Sequence, residues 1–104
     1  MMHPEFQKII SSSPAVLVDF YADWCAPCKM VVPILNDVVG HFKGELMLHK
    51  IDIDTHGELA KSLFILSVPT LMLFRDGVEV WRMRGFDIAP NLVKTISDHL
   101  NLSV

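Results

Sequence analysis

Both cysteines of the chain lie in one short stretch, residues 23–29, which runs Asp23-Trp24-Cys25-Ala26-Pro27-Cys28-Lys29. The apolar periodicity that follows predicts a helix beginning near residue 26, so the two cysteines lie three residues apart at its start. Residues i and i+3 of a helix share one face, with Cβ atoms about 5–6 Å apart. That spacing permits a disulfide after small adjustments and predicts a redox-active pair.

The two cysteines differ in their position on the predicted helix. Cys25 lies at the positive end, where the helix dipole and unpaired backbone N–H groups stabilise a thiolate. Cys28 lies about one turn further in. We therefore predict that Cys25 is the more acidic and nucleophilic thiol, and that Cys28 is the thiol that resolves the intermediate.

A Cys-x-x-Cys pair can also form half of a zinc site, which requires about two more ligands. No two of the five histidines have a helical or short-loop spacing typical of ligands; they are His3, His41, His49, His56 and His99. The redox pair is therefore favoured over zinc, and also over two unrelated core cysteines. We predict no metal site.

The composition predicts one globular domain over residues 1–104, because the length suits a single core and 51% of the residues are hydrophobic. The net charge of −3, without blocks of like charge, argues against nucleic-acid and basic membrane-binding surfaces. No apolar run is long enough to cross a bilayer, and the N-terminus lacks a signal-peptide pattern. The cytoplasm is the simplest predicted location, and a chain whose signal was removed before numbering is the alternative.

Periodicity and turn residues predict the element order α-β-α-β-α-β-β-α. A Thr55/Glu58 capping box and Asp87 are the expected N-terminal signals of the last two helices. Long crossovers predict that the first strands are parallel with right-handed connections, and Asp76-Gly77 predicts an antiparallel hairpin. The fold class is therefore α/β, with a mixed sheet of about four strands and helices on both faces. The predicted segments are helix 4–11, strand 15–21, helix 26–42, strand 45–52, helix 55–64, strands 70–74 and 78–84, and a final helix after residue 87.

Asp19 is the anomaly of the first strand, because the rest of that strand is nearly all apolar. A buried carboxylate must be paired, hydrogen-bonded or protonated. A functional role near the cysteines is favoured over a position at a wet sheet edge. Lys50, in the second strand, is either a solvated side chain or a partner for Asp19.

Residues 18–29 closely resemble the active-site region of the thioredoxins. Further matches at the spacing of that family cover nearly the whole chain; they are Lys50-Ile51-Asp52, Val68-Pro69-Thr70, Asp76-Gly77 and Gly85. The resemblance implies a thioredoxin-like fold and a thiol–disulfide oxidoreductase that reduces protein disulfides through a reversible Cys25–Cys28 dithiol/disulfide.

The resemblance also implies roles for individual residues. Cys25 corresponds to the attacking thiol and Cys28 to the buried resolving thiol. Asp19 corresponds to the carboxylate that takes or relays the Cys28 proton, and Lys50 to the lysine that tunes it. Pro69 corresponds to a cis-proline facing the disulfide.

The implied substrate surface surrounds this proline. The Val68 backbone would hydrogen-bond an extended substrate strand, a form of β-augmentation. Trp24, Pro27, Val68 and Gly85 would form a mostly apolar docking surface beside Pro69.

The resemblance further implies disulfide-containing proteins as substrates and an NADPH-dependent thioredoxin reductase as the electron donor. It implies no metal or bound organic cofactor, and a monomer. Two alternatives stay open at this point. One is a dedicated reductant or exchange factor for a single partner, and the other is a non-catalytic docking subunit with a thioredoxin-like fold.

Three features depart from the family pattern. Ala26 stands where the best-known members have glycine. Arg84 and Phe86 flank Gly85 where small apolar residues are more usual, which predicts a more basic and bulkier rim. The family's first strand is missing, so the strand at 45–52 is expected at a sheet edge, which can recruit another chain unless it is covered.

Overall fold

The computed structural model describes residues 3–101 and contains four helices and four strands within that range. The order predicted from the sequence is confirmed. Small differences occur at the ends: β2 begins two residues later than predicted, and β3 extends one residue further. In chain order the elements are α1 (Pro4–Ile10), β1 (Ala15–Tyr21), α2 (Ala26–His41), β2 (Met47–Asp52), α3 (Gly57–Ser62), β3 (Thr70–Arg75), β4 (Val78–Arg84) and α4 (Ala89–Leu100).

The strands form one mixed sheet in the order β2-β1-β3-β4. β1 and β2 are parallel, and the β3–β4 hairpin is antiparallel, as predicted. Asp76 and Gly77 both adopt positive φ angles, of 51° and 80°, as a type I′ turn requires. Within residues 3–101 the sheet has four strands and none lies outside β2, so the expected edge position of β2 is confirmed for this part of the chain.

β3 runs antiparallel to β1, so the parallel arrangement holds only for β1 and β2. The reason lies in the length of α3. A six-residue helix is about 9 Å long, whereas a strand of six residues spans about 20 Å. The connection therefore stays at the end of the sheet where β2 finishes, and β3 starts there, with Thr70 opposite Phe20.

Alternating residues of β1 supply the cores on the two faces of the sheet. Leu17 packs in the cluster formed with α2 and α4, which includes Leu35 and Ile96. Val18 packs in the cluster on the opposite face with residues of α1 and α3. Helices on both faces are therefore confirmed, and the apolar run of β1 is explained by its central position.

Two predicted helix caps are wrong. His56, not Thr55, is the N-cap residue of α3, and it makes no side-chain cap. The Thr55 hydroxyl instead donates to the Asp52 carbonyl oxygen at 3.3 Å, because the chain is still turning after β2. Ile88 is the N-cap residue of α4, and Asp87 precedes it, accepting from the Ile88 N–H at 2.7 Å.

α3 ends at Ser62, so the predicted continuation of this helix through residues 63 and 64 is also wrong. The chain leaves the helix through a Schellman motif. The Ile65 N–H donates to the Ala60 carbonyl and the Phe64 N–H donates to the Lys61 carbonyl. Phe64 therefore occupies the left-handed position, with φ 58°, at which glycine is usual.

Replacing Phe64 with glycine should stabilise the protein by about 0.5 kcal/mol. A left-handed backbone costs a non-glycine residue about 1–2 kcal/mol, and the greater freedom of glycine in the unfolded chain offsets about half of that gain. Little packing is lost, because Phe64 is 75% exposed. Urea denaturation at pH 7 measures the change, and a clear loss of stability would contradict it.

Candidate active site

The two cysteines lie at the start of α2, as predicted. Cys25 is the N-cap residue, and its sulfur accepts the Cys28 N–H at 3.1 Å. Pro27 lies in the first turn, where the missing N–H of proline costs no hydrogen bond. The cysteines form a disulfide, with their Cα atoms 5.3 Å apart. The start of α2 thus presents the backbone N–H of Cys28 to the Cys25 sulfur.

Exposure does not distinguish the two cysteines, since Cys25 is 4% and Cys28 is 3% accessible. Their surroundings do distinguish them. The Cys25 sulfur lies 3.8 Å from the Val68 carbonyl oxygen, at the loop preceding β3. Cys28 lies inside the first turn of α2 and packs with Ala22. Only Cys25 combines the N-cap position with contact to this loop.

Asp19 is fully buried, and neither of its carboxylate oxygens has a hydrogen-bond partner among the described residues. It follows Leu17 by two residues on β1, so both side chains lie on the sheet face that α2 covers. Burial raises the pKa of Asp19 from 3.8 to about 6, and the charge of Lys50 acts in the opposite direction. At neutral pH Asp19 is therefore mostly ionised, yet it accepts a proton more readily than an ordinary carboxylate.

Lys50 lies opposite Asp19 in the parallel register of β1 and β2. Its side chain is exposed, and its ammonium group lies 4.9 Å from the centre of the Tyr21 ring. Within residues 3–101 there is no ion pair between Lys50 and Asp19. Lys50 therefore influences Asp19 through its electric field, and the Tyr21 ring holds the cation in place.

Replacing Lys50 with methionine should raise the pKa of Asp19 above its value of about 6, because the charge that favours the carboxylate is removed. An NMR titration of the Asp19 carboxyl carbon in the oxidised protein measures this. Lys61→Met, on the exposed side of α3, is the matched control and should leave the titration unchanged. Equal titration curves for Lys50→Met and the wild type would exclude the tuning role of Lys50.

The loop facing the disulfide contains a cis peptide bond between Val68 and Pro69, as the family resemblance implied. Pro69 is buried, and its carbonyl oxygen accepts the Gly85 N–H at 2.7 Å. Gly85 has φ 91°, a conformation that side chains of L-residues rarely adopt. This hydrogen bond connects the end of β4 to the loop that faces Cys25.

Trp24 and Pro27 are exposed beside the cysteines, whereas Val68 and Gly85 are half-buried. The Trp24 indole N–H donates to the Asp54 carboxylate at 2.9 Å, which fixes the ring while leaving it 70% exposed. The fold thus brings loop and helix residues that are distant in sequence around one disulfide.

The sequence predictions missed two residues of the site: Asp54, which contacts Trp24, and Tyr21, which contacts Lys50. Tyr21 is the last residue of β1, and Asp54 lies two residues beyond the end of the parallel strand β2. These ends share one edge of a parallel pair. Tracing which polar and aromatic residues reach that edge could have identified both.

The two residues that flank Gly85 lie at the surface. Arg84 is exposed and Phe86 is 36% exposed, in line with the bulkier, more basic rim expected around Gly85.

Within residues 3–101, no group of three or more histidine, cysteine or acidic side chains is arranged to hold a metal ion. None of the helices in that part of the chain has both the length and the apolar character needed to cross a membrane.

Comparison with known proteins identifies the family. The family model described as Thioredoxin matches residues 1–98. The chain belongs to the thioredoxin family. A thioredoxin of Mycobacterium bovis is 42% identical over 90 residues, covering 86% of this chain and 78% of the relative. A thioredoxin of Staphylococcus saprophyticus is 40% identical over 84 residues, covering 81% of each chain.

A longer relative and a solved structure extend this comparison. The bifunctional thioredoxin reductase/thioredoxin of Mycobacterium leprae is 40% identical over 89% of this chain, which spans only 20% of that protein. A mutant thioredoxin from Halobacterium salinarum superposes with a TM-score of 0.85 at 33% identity, over 100% of this chain and 90% of that one. Thioredoxin-family membership and the Cys25–Cys28 disulfide together support thiol–disulfide oxidoreductase activity.

Proposed function

We propose that this thioredoxin-family protein reduces disulfides in other proteins, with Cys25 as the nucleophile. The observation that carries the proposal is the position of Cys25 at the N-cap of α2, where its sulfur accepts a backbone N–H. This position favours the thiolate, which is the reactive form of cysteine.

The first step is attack of the Cys25 thiolate on one sulfur of the partner's disulfide. The partner's S–S bond breaks, a Cys25–partner disulfide forms, and the released partner thiolate takes a proton from water. The exposed Trp24 and Pro27 and the backbone of Val68 support docking of the partner segment. Trp24 and Pro27 lie within two residues of Cys25 in the chain, and the Val68 carbonyl oxygen lies 3.8 Å from the Cys25 sulfur.

The second step releases the reduced partner. Asp19 takes the Cys28 proton, and the Cys28 thiolate attacks the Cys25 sulfur. The mixed disulfide breaks, the Cys25–Cys28 disulfide forms, and the second partner thiolate leaves. Two electrons pass from the cysteine pair to the partner. The raised pKa of Asp19, caused by burial, suits a carboxylate that takes up a proton and then releases it near neutral pH.

The oxidised pair must be recharged, and we propose a thioredoxin reductase that draws electrons from NADPH. The resemblance to a protein named as a bifunctional thioredoxin reductase/thioredoxin supports this pairing of functions. We further propose a monomeric, single-domain carrier in the cytoplasm that takes part in redox homeostasis, with no bound metal or organic cofactor.

The test is reduction of insulin disulfides with dithiothreitol as the electron source. The protein should accelerate insulin precipitation well above dithiothreitol alone. A rate equal to that of dithiothreitol alone would contradict the proposal and favour a docking subunit.

A further inference from the structure

The outer edge of β2 carries backbone hydrogen-bonding groups that the sheet does not use. In a parallel pair, every second residue directs its N–H and C=O at the neighbouring strand. The Ile53 N–H, just beyond β2, donates to the Tyr21 carbonyl oxygen at 2.9 Å, so the odd-numbered residues of β2 face β1. Leu48 and Lys50 therefore face outward, and no strand or loop within residues 3–101 pairs with their backbone. Their N–H and C=O groups are available to an added strand.

A cleft of about 650 Å³ lies beside this edge, between the start of α1, β2 and the start of α3. Its floor is apolar, since Phe6, Ile51 and Leu59 line it and are each at most 6% exposed. These three residues belong to the core on the α1 side of the sheet, so the cleft opens on that face. Because the side chains of a strand alternate between faces, every second residue of an added strand would point into the cleft.

The rim of the cleft is acidic. Glu5 at the start of α1 and Glu58 at the start of α3 line it and are exposed, and neither forms a salt bridge within the described part of the chain. Lys50 also lines the cleft, but its ammonium group lies against the Tyr21 ring, 4.9 Å from the ring centre. The two carboxylates therefore favour a cationic ligand at the rim.

We propose that the β2 edge and this cleft bind an extended segment of a partner protein, in which alternate residues are apolar and are flanked by lysine or arginine. The segment adds as an antiparallel strand and exchanges backbone hydrogen bonds with Leu48 and Lys50. Its apolar side chains enter the cleft, and its basic side chains face Glu5 and Glu58.

The charge of the rim decides between this occupant and a second copy of the chain. A symmetric contact through β2 would bring two acidic rims together, which is unfavourable. The surface is also separate from the proposed reductase site. Apart from Lys50, no residue that lines the cleft belongs to the set assigned above to catalysis or substrate docking, so a partner bound here leaves Cys25 free to react.

The probe is the capped heptapeptide Lys-Thr-Val-Thr-Ile-Thr-Lys, in which both lysines, the valine and the isoleucine fall on the face that meets the cleft. A second peptide has glutamate in place of both lysines. NMR titration at low salt should show that the wild-type protein binds the lysine peptide about tenfold more tightly, because two attractive charge pairs replace two repulsive ones.

Charge variants test the rim. E5K/E58K should reverse the preference between the two peptides, and E5Q/E58Q should lower it to about threefold. D37K/D98K is the matched control, since it makes the same change in net charge at exposed carboxylates on α2 and α4 and should retain the preference. All three variants should reduce insulin at the wild-type rate, which shows that they are folded and that the disulfide site is intact.

Amide hydrogen exchange tests the added strand. In the free protein, the amides of Leu48 and Lys50 should exchange much faster than those of His49 and Ile51, which face β1. The lysine peptide should protect the amides of Leu48 and Lys50. The same peptide N-methylated at its threonines has no N–H to donate to the Leu48 and Lys50 carbonyls, and it should bind at least about tenfold more weakly.

Several outcomes would overturn the proposal. Absence of binding, equal affinity for the lysine and glutamate peptides, or an unchanged preference in E5K/E58K would each do so. Slow exchange of Leu48 and Lys50 in the free protein would show that the edge is already covered. A concentration-dependent dimer in sedimentation velocity that the lysine peptide dissociates would identify a second copy as the occupant. None of these results bears on the reductase function, which the insulin assay tests by itself.

Discussion

Cys25→Ser should lower the rate of insulin reduction to that of dithiothreitol alone. Serine keeps the N-cap position, since its hydroxyl is also a good cap, so the helix start is preserved. The thiolate, however, is the nucleophile, and a hydroxyl at the same position remains protonated at neutral pH. Loss of activity would therefore report on chemistry and not on folding. Full activity in this variant would exclude Cys25 as the attacking group.

Cys28→Ser is the matched variant, because it removes the resolving thiol and keeps the attacking one. The mixed disulfide between Cys25 and the partner should accumulate, since the internal thiol that breaks it is absent. Mass spectrometry of captured proteins then identifies the substrates. A broad set of captured proteins would support a general reductase, whereas a single captured protein would favour the dedicated reductant suggested by the Arg84 and Phe86 rim.

Asp19→Asn should stabilise the oxidised protein by about 3 kcal/mol at pH 7. The pKa of Asp19 rises from 3.8 to about 6 on folding, because burial disfavours the charged carboxylate. That difference in pKa lowers the free energy of unfolding at pH 7 by about 3 kcal/mol. Since the folded pKa is raised, the contribution of Asp19 to stability is fully present below about pH 4 and is lost as the pH rises through about 6. Asparagine does not ionise, so the variant does not lose stability as the pH rises.

Urea denaturation of both oxidised proteins from pH 3.5 to 8 measures this difference. The two proteins should be nearly equal in stability at the acid end and diverge between about pH 4 and 6. Asp37→Asn, an exposed carboxylate on α2, makes the same change in charge and should produce little divergence. A constant difference between wild type and Asp19→Asn at all pH values would contradict the raised pKa.

The same substitution separates stability from function. Asparagine cannot take the Cys28 proton, so the decay of the mixed disulfide should slow although the fold is more stable. A stopped-flow measurement of partner release from the reduced protein detects this. An unchanged rate of partner release would show that Asp19 takes no part in proton transfer.

Most of the fold followed from local sequence patterns. The apolar run of residues 15–21 predicted a central strand, and Asp76-Gly77 predicted the hairpin turn, because both signals depend on neighbouring residues alone. The direction of β3 did not follow, since it depends on how far the short α3 can carry the chain. The caps at Thr55 and Asp87 failed because the tertiary path shifted each helix start beyond the predicted residue.

For the candidate site, residue patterns predicted the cysteine pair at the start of a helix and the anomalous Asp19, and the family resemblance implied the cis bond before Pro69. The first two depend on local sequence patterns, whereas the cis bond follows from the resemblance and not from spacing. Three features became visible in the folded protein alone: Lys50 contacts the Tyr21 ring and makes no ion pair with Asp19, Asp54 anchors Trp24, and Phe64 is held outward in a left-handed backbone. These features depend on strand register, burial and the end of α3, which are set by packing between segments that are distant in sequence.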